Sequence, residues 1–251
     1  MPNLPMHIYL ADQVARQLDR GNIHDHVGSF FLGATAPDIR AMTKWPRERT
    51  HFAPLSVDEI GTGARTMLRL YPELAGNAGL SLETQAFVLG YITHLVADEV
   101  WITSVFRPYF DGPTMVTPTD VEAHIWDRAL QLDMDRKTLP EIYNLKPTEA
   151  MSCAGQGVEV GFLESDVLRE WRDWVCRFMG WEFNWDRLKR TLNRIYRDND
   201  GVQGAVDQFL REMPYSLERV YQRIPEAEVD SYQRRALEET LAQVREYLNG
   251  A

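Results

Sequence analysis

Cysteine is scarce in these 251 residues: Cys153 and Cys176 are the whole supply, and they form no Cys-x-x-Cys. A disulfide framework is therefore excluded, and both read as buried thiols rather than ligands. Long apolar runs are missing too, since none approaches the ~20 residues of a spanning helix. No transmembrane segment is expected. The first residues carry no basic cluster, and Asp12 and Gln13 soon interrupt the early apolar run, so no secretory leader is read and a cytoplasmic location is expected. Positive charge is in deficit, with 27 Lys and Arg against 37 Asp and Glu and a net charge of −10. A dedicated nucleic-acid surface normally demands a basic face, so none is expected. Internal repeats, low-complexity tracts and flexible interdomain linkers are absent as well.

Hydrophobic residues make up 44% of the chain, enough to bury a sizeable core. They recur at spacings of three and four, and few runs alternate with period two, so the reading is a single all-α domain of about eight to ten helices spanning 1–251. The first helix covers about 5–19. A short one near Gly28–Leu32 leads to a bend at Pro37-Asp38, because the residue before proline is biased out of helix. Ser56 and Glu59 form a capping box for a helix to about Leu70. Ser81 with Thr84 opens a long central helix to about Phe106, and Thr119 or Asp120 starts one ending near Leu132–Asp135. From Lys137 to Glu164 periodicity fades among Pro140, Pro147, Gly155, Gly157 and Gly161, which reads as a long binding loop or lid. Ser165 then caps the first of the C-terminal helices, which occupy about 165–251 and pack on the metal-binding part, about 1–135.

The central helix reads Phe87-Val-Leu-Gly-Tyr-Ile-Thr-His94-Leu-Val-Ala-Asp98-Glu-Val-Trp101. Residues four apart share a helix face, so His94 and Asp98 can grip one ion. The alternative is a core histidine held by a carboxylate. Three further residues of ligand type lie upstream: His7, Asp38 in Gly33-Ala-Thr-Ala-Pro37-Asp38, and His51 in Thr50-His51-Phe52. A mixed imidazole and carboxylate set suits zinc, manganese or iron, with zinc first. Lys44, Arg47 and Arg49 form a basic cluster beside His51, either a grip for a substrate phosphate or a solvated loop.

A histidine near the N-terminus, then Gly-x-x-x-Pro-Asp, then Thr-His-Phe, then Gly-Tyr-x-x-His-x-x-x-Asp: this order resembles the zinc-dependent phospholipase C family, all-helical phosphodiesterases related to S1/P1-type nucleases. The resemblance covers about residues 1–130. It implies a phospholipase C/P1 nuclease-like fold, one or two zinc ions, and a metal-dependent hydrolase acting on a small-molecule or lipid phosphoester. Asp38, His51, His94 and Asp98 would hold the first ion, with Asp98 able to bridge and His7 belonging to a second. Asp38 would also orient the attacking water, Arg47 or Arg49 would hold a phosphate oxygen, and His124 on the next helix would be a further ligand. Two departures stand out. Ser104 lies where the phospholipases supply another histidine, and the residues ahead of His7 read as an unprocessed start, so the amine ligand of secreted members is not expected.

Two rival readings follow from the same residues. A divergent, non-catalytic protein binding metal or a lipid-like ligand accounts for the missing ligands. An HD-type phosphohydrolase would need His24-Asp25 as its central pair on a helix, which Gly21-Asn22 and Gly28 disfavour. The aromatic pairs Trp171/Trp174 and Trp181/Trp185 read as core packing in preference to a lipid-facing surface.

Overall fold

The computed structural model describes residues 1–18, 21–75, 79–196 and 200–249. The fold is all-α, as the periodicity predicts. Among the described residues the nearest thing to a strand is an isolated bridge between Val160 and Leu163. The helices are α1 (Leu4–Leu18), α2 (Gly21–Asp25), α3 (Val27–Thr35), α4 (Arg40–Thr43), α5 (Arg47–His51), α6 (Thr62–Leu70), α7 (Leu82–Trp101), α8 (Arg107–Phe110), α9 (Asp120–Leu145), α10 (Pro147–Met151), α11 (Ser165–Met179), α12 (Asp186–Ile195), α13 (Asp200–Arg211), α14 (Tyr215–Arg223) and α15 (Glu226–Asn249). The excess over the expected number comes from one-turn helices such as α2, α4, α5, α8 and α10, which sit inside segments that read as loops.

All but the first two residues of α7 are buried. A helix apolar on every side belongs at the centre of a bundle, and α7 is packed by α3, α15, α1 and α6. Its start is as expected: the Ser81 hydroxyl accepts from the Thr84 N–H at 3.1 Å. The α3–α7 crossing is close because it lacks side chains at two positions. A Cβ on Gly33 would stand 2.0 Å from the Phe87 carbonyl oxygen, and one on Gly90 2.0 Å from that of Phe30. That approach carries the end of α3 to His94. One hydrophobic cluster includes residues of α1, α3, α7, α9, α11 and α15, so the C-terminal helices share the core of the N-terminal ones.

Three elements depart from expectation. The helix ending at Leu70 begins at Thr62 rather than Ser56, because Gly61 is left-handed (φ 84°) and the capping carboxylate comes from elsewhere. Glu99 of α7 accepts the N–H of Gly61 at 2.5 Å and of Gly63 at 2.7 Å, serving the free donors and positive end of α6. The helix beginning at Asp120 runs on through Pro140 to Leu145, and α10 follows it. Buried Thr138 and Ile142 anchor the stretch, so packing overrides a proline that sequence reading takes as a stop. Cys153 is exposed and Cys176 half-buried, which corrects the reading of both as buried thiols.

Candidate metal centre

His94 and Asp98 lie one turn apart on the buried face of α7. The His94 Nδ1 stands 2.8 Å from the Ala34 carbonyl at the end of α3. Nδ1 therefore carries the proton, and the Nε2 lone pair faces inward. His51 closes α5 and is oriented the same way: its Nδ1 lies 3.0 Å from the Thr50 hydroxyl, which donates in turn to the Arg47 carbonyl at 3.4 Å. The Tyr91 hydroxyl from α7 holds the Thr50 carbonyl. His7 lies in the second turn of α1, whose start is pinned by Asp135 of α9. Asp135 accepts from Asn3 Nδ2 at 2.9 Å and from the Met6 N–H at 3.3 Å. The His7 ring stacks on His94 with centroids 3.7 Å apart and planes 14° from parallel.

Asp98 is the hub of this arrangement. Its Oδ1 lies 3.5 Å from His7 Nε2, and its Oδ2 lies 3.2 Å from His51 Nε2 and 3.8 Å from His94 Nε2. Asp38, on the 3₁₀ turn Ala36–Ile39, places Oδ1 3.8 Å from His51 Nε2. Donors bound tetrahedrally at about 2.0–2.1 Å from zinc stand about 3.3 Å from one another, so these spacings are those of a ligand set slightly expanded. Two groups of three form, His7 with His94 and Asp98, and Asp38 with His51 and His94.

The unsatisfied atoms fit a cation. Nε2 of His7, His51 and His94 and Oδ1 of Asp98 are buried without hydrogen-bond partners. Each such orphan costs about 1–3 kcal/mol, and a metal ion would satisfy them together. Protonation states agree with a ligand role. Burial, reinforced by neighbouring His7, holds His94 well below the ordinary histidine range, and burial also lowers His51. Burial alone would raise the Asp98 carboxyl. It is outweighed by the neighbouring His94, His51 and His7 and by Arg47, which hold it well below the ordinary range. The lowered His94 and His51 beside an ionised Asp98 carboxylate are in the forms a metal takes.

The other expected residues divide. Arg47 joins the cluster, but buried, with one guanidinium nitrogen 3.1 Å from Asp98 Oδ2. Its place is on a proposed ligand instead of in the open. Arg49 stays exposed and lies over the Trp45 ring at 3.5 Å. His124 belongs to neither ligand group among the described residues; its ring packs 5.5 Å from Tyr196. His24 and Asp25 are exposed, on the one-turn helix α2 that Gly21-Asn22 was expected to prevent, and His26 lies 3.6 Å from Glu83. The Met1 amine is buried near Asp127, Asp98 and Arg47, and burial pushes its pKa down to about 6. Sequence reading misses Asp135 and Glu99 as positioning groups, because their partners are donors of segments distant in the chain. Asp38, 28% exposed at its side chain, is the open edge of the centre and borders a groove of about 900 Å³.

The described residues thus form an all-helical fold with a buried imidazole–carboxylate cluster, open at one edge, that could hold a metal ion. Residues 6–101, the stretch that contains His7, Asp38, His51, His94 and Asp98, match the family model described as zinc dependent phospholipase C. No curated protein and no solved structure matches the chain.

Proposed function

We propose that this protein is a metal-dependent phosphodiesterase of phospholipase C type, with His7, Asp38, His51, His94 and Asp98 holding one or two zinc ions. The observation that carries the proposal is the convergence of four unsatisfied buried donor atoms beside a groove that opens at Asp38. Bound zinc would supply Lewis acidity and a water activated near neutral pH. The chain's own residues do the rest. Ala34 and Thr50 fix the His94 and His51 tautomers, Asp135 holds the turn bearing His7, and Arg47 keeps Asp98 ionised. Asp38, the most accessible of the five, is placed to orient an incoming water and accept its proton. The shared core from α1 to α15 supports a single domain.

The test is hydrolysis of an aryl phosphodiester by zinc-loaded protein, with metal content measured alongside. Asp38→Asn is expected to lower turnover by about 10²–10⁴, the span of one general base, while retaining most of the metal. Full metal occupancy without hydrolysis of lipid, nucleotide or aryl phosphodiesters would overturn the proposal in favour of a non-catalytic metal-binding protein.

A further inference from the structure

We propose that the groove beside Asp38 binds an anionic phospholipid, with its acyl portion along an aromatic wall and its charged head group among arginines. The assignment rests on the phosphodiesterase reading only in taking Asp38 as the end where the scissile phosphate sits.

The wall is built by α11 and the residues after it. Trp171 and Trp174 stack with centroids 5.0 Å apart and planes 12° from parallel, Trp174 and Phe178 stack at 5.4 Å and 14°, and Trp181 follows at 5.8 Å from Phe178. All four line the groove. The ladder begins in the core at Trp171, which is fully buried, and ends at Trp181, which is 55% exposed. This corrects the reading of these rings as core packing alone: an apolar strip leads from the interior to the surface. A nucleobase would need one ring and hydrogen-bond partners for its edges. A strip of successive rings, with the Trp171 N–H already donating to Thr35 Oγ1 at 3.3 Å, suits an acyl chain better.

Charge selects the head group. Arg40, Lys44, Arg128, Arg187, Arg190 and Arg194 line the same groove, and none of them forms an ion pair among the described residues. Their hydrogen bonds go to neutral groups: Arg40 to the Trp45 carbonyl, Lys44 to that of Ala41, Arg128 to Gln131, and Arg190 to Asn184. The acidic lining residues are Asp38 and Asp135. In a chain of net charge −10, six cations against two carboxyl groups around one groove form a local field of the opposite sign. A phosphodiester carries one negative charge, which the metal centre would meet, so the surplus calls for further negative charge and repels an ammonium head group.

The experiment uses the full chain and phosphonate analogues of short-chain phosphatidylglycerol and phosphatidylcholine, which bind without turnover, with affinity read by calorimetry and tryptophan fluorescence. The expected result is binding of the anionic analogue about ten-fold tighter or more, the effect of one charge-assisted hydrogen bond. The doubly reversed variant Arg190→Glu/Arg194→Glu loses that preference, whereas Trp181→Ala weakens both ligands alike. Both sites are exposed, so the fold is retained. Equal affinity for the two analogues, or a preference that survives the double reversal, overturns the proposal. So does glycerophosphoglycerol or a nucleoside monophosphate binding as tightly as the anionic lipid. Because the readout is binding, it can fail while hydrolysis proceeds, and can succeed when nothing is hydrolysed.

Discussion

Asp135→Asn is expected to make the protein more stable at alkaline pH and slightly less stable, by about 1 kcal/mol, in acid. Asp135 is 1% exposed and accepts two hydrogen bonds, from Asn3 and from the Met6 N–H. Burial nevertheless pushes its carboxyl from 3.8 up to about 7, overcoming those bonds and the more distant Arg187 and Arg128. Because the folded-state pKa lies above the unfolded one, the folded protein keeps a proton that the unfolded chain has released, and stability falls as pH rises from about 4 to about 7. At about 1.4 kcal/mol per unit, a shift of roughly three units is worth about 4 kcal/mol, fully lost above pH 7. Asparagine carries no charge, its oxygen can accept from Met6, and Asn3 can turn its amide to accept from the new NH₂. Allowing about 1 kcal/mol for rearranged hydrogen bonds, the variant gains about 3 kcal/mol over wild type at pH 8. Urea unfolding of the metal-free proteins at several pH values between 4.5 and 8 measures the difference between variant and wild type, in which other titrating groups cancel. A destabilisation of the same size at every pH would refute the reasoning.

Two further outcomes concern the centre itself. Chelation lowers the melting temperature, since an ion held at a free concentration of a hundred times its Kd contributes about 2.7 kcal/mol, on the order of 5–10 °C for a chain of this size; His94→Ala removes most of that sensitivity, and an unchanged melt after verified metal loss contradicts it. Arg47→Met leaves Asp98 uncompensated in the metal-free protein, at a cost of about 3–5 kcal/mol, and costs far less when metal shares the carboxylate. An equal loss with and without zinc would show that Arg47 and the metal do not share Asp98.

The ligand-bearing helix was legible because its signals are local. Ser81 capping Thr84, the apolar residues around His94, and the four-residue step to Asp98 all lie within one segment, and the structure brings His7, Asp38 and His51 to the same place. What sequence reading misses depends on contacts between distant segments. Nothing in Arg47-Glu-Arg49 distinguishes the arginine that turns inward onto Asp98 from the one that lies on Trp45. The start of α6 is set by Glu99, thirty-odd residues downstream, so a capping box at Ser56 and Glu59 is a sound local rule overridden by a partner it cannot include. Pro140 shows the same limit: helix propensity weighs against it, and burial of Thr138 and Ile142 decides the matter. His124 shares a helix with Asp127 three residues on, but Asp127 turns to the Trp101 indole at 3.0 Å while His124 packs on Tyr196.

Charge is where an average over the chain misleads most. A net charge of −10 leads to the expectation that there is no nucleic-acid surface, yet it conceals how the cations are sorted. One arginine is buried on the carboxylate at the heart of the centre, where a bare Asp98 would be costly. Five more arginines and Lys44 line the groove that meets the centre at Asp38. An acidic exterior does not weaken that local field, because exposed charges more than about 8–10 Å away are screened at ordinary ionic strength. The groove therefore presents an anion with positive charge at close range even though the whole protein repels it at long range. On the proposed reading, recognition of an anionic ester would depend on contact, and raising salt is expected to shorten the long-range repulsion while leaving the buried Arg47–Asp98 pair intact.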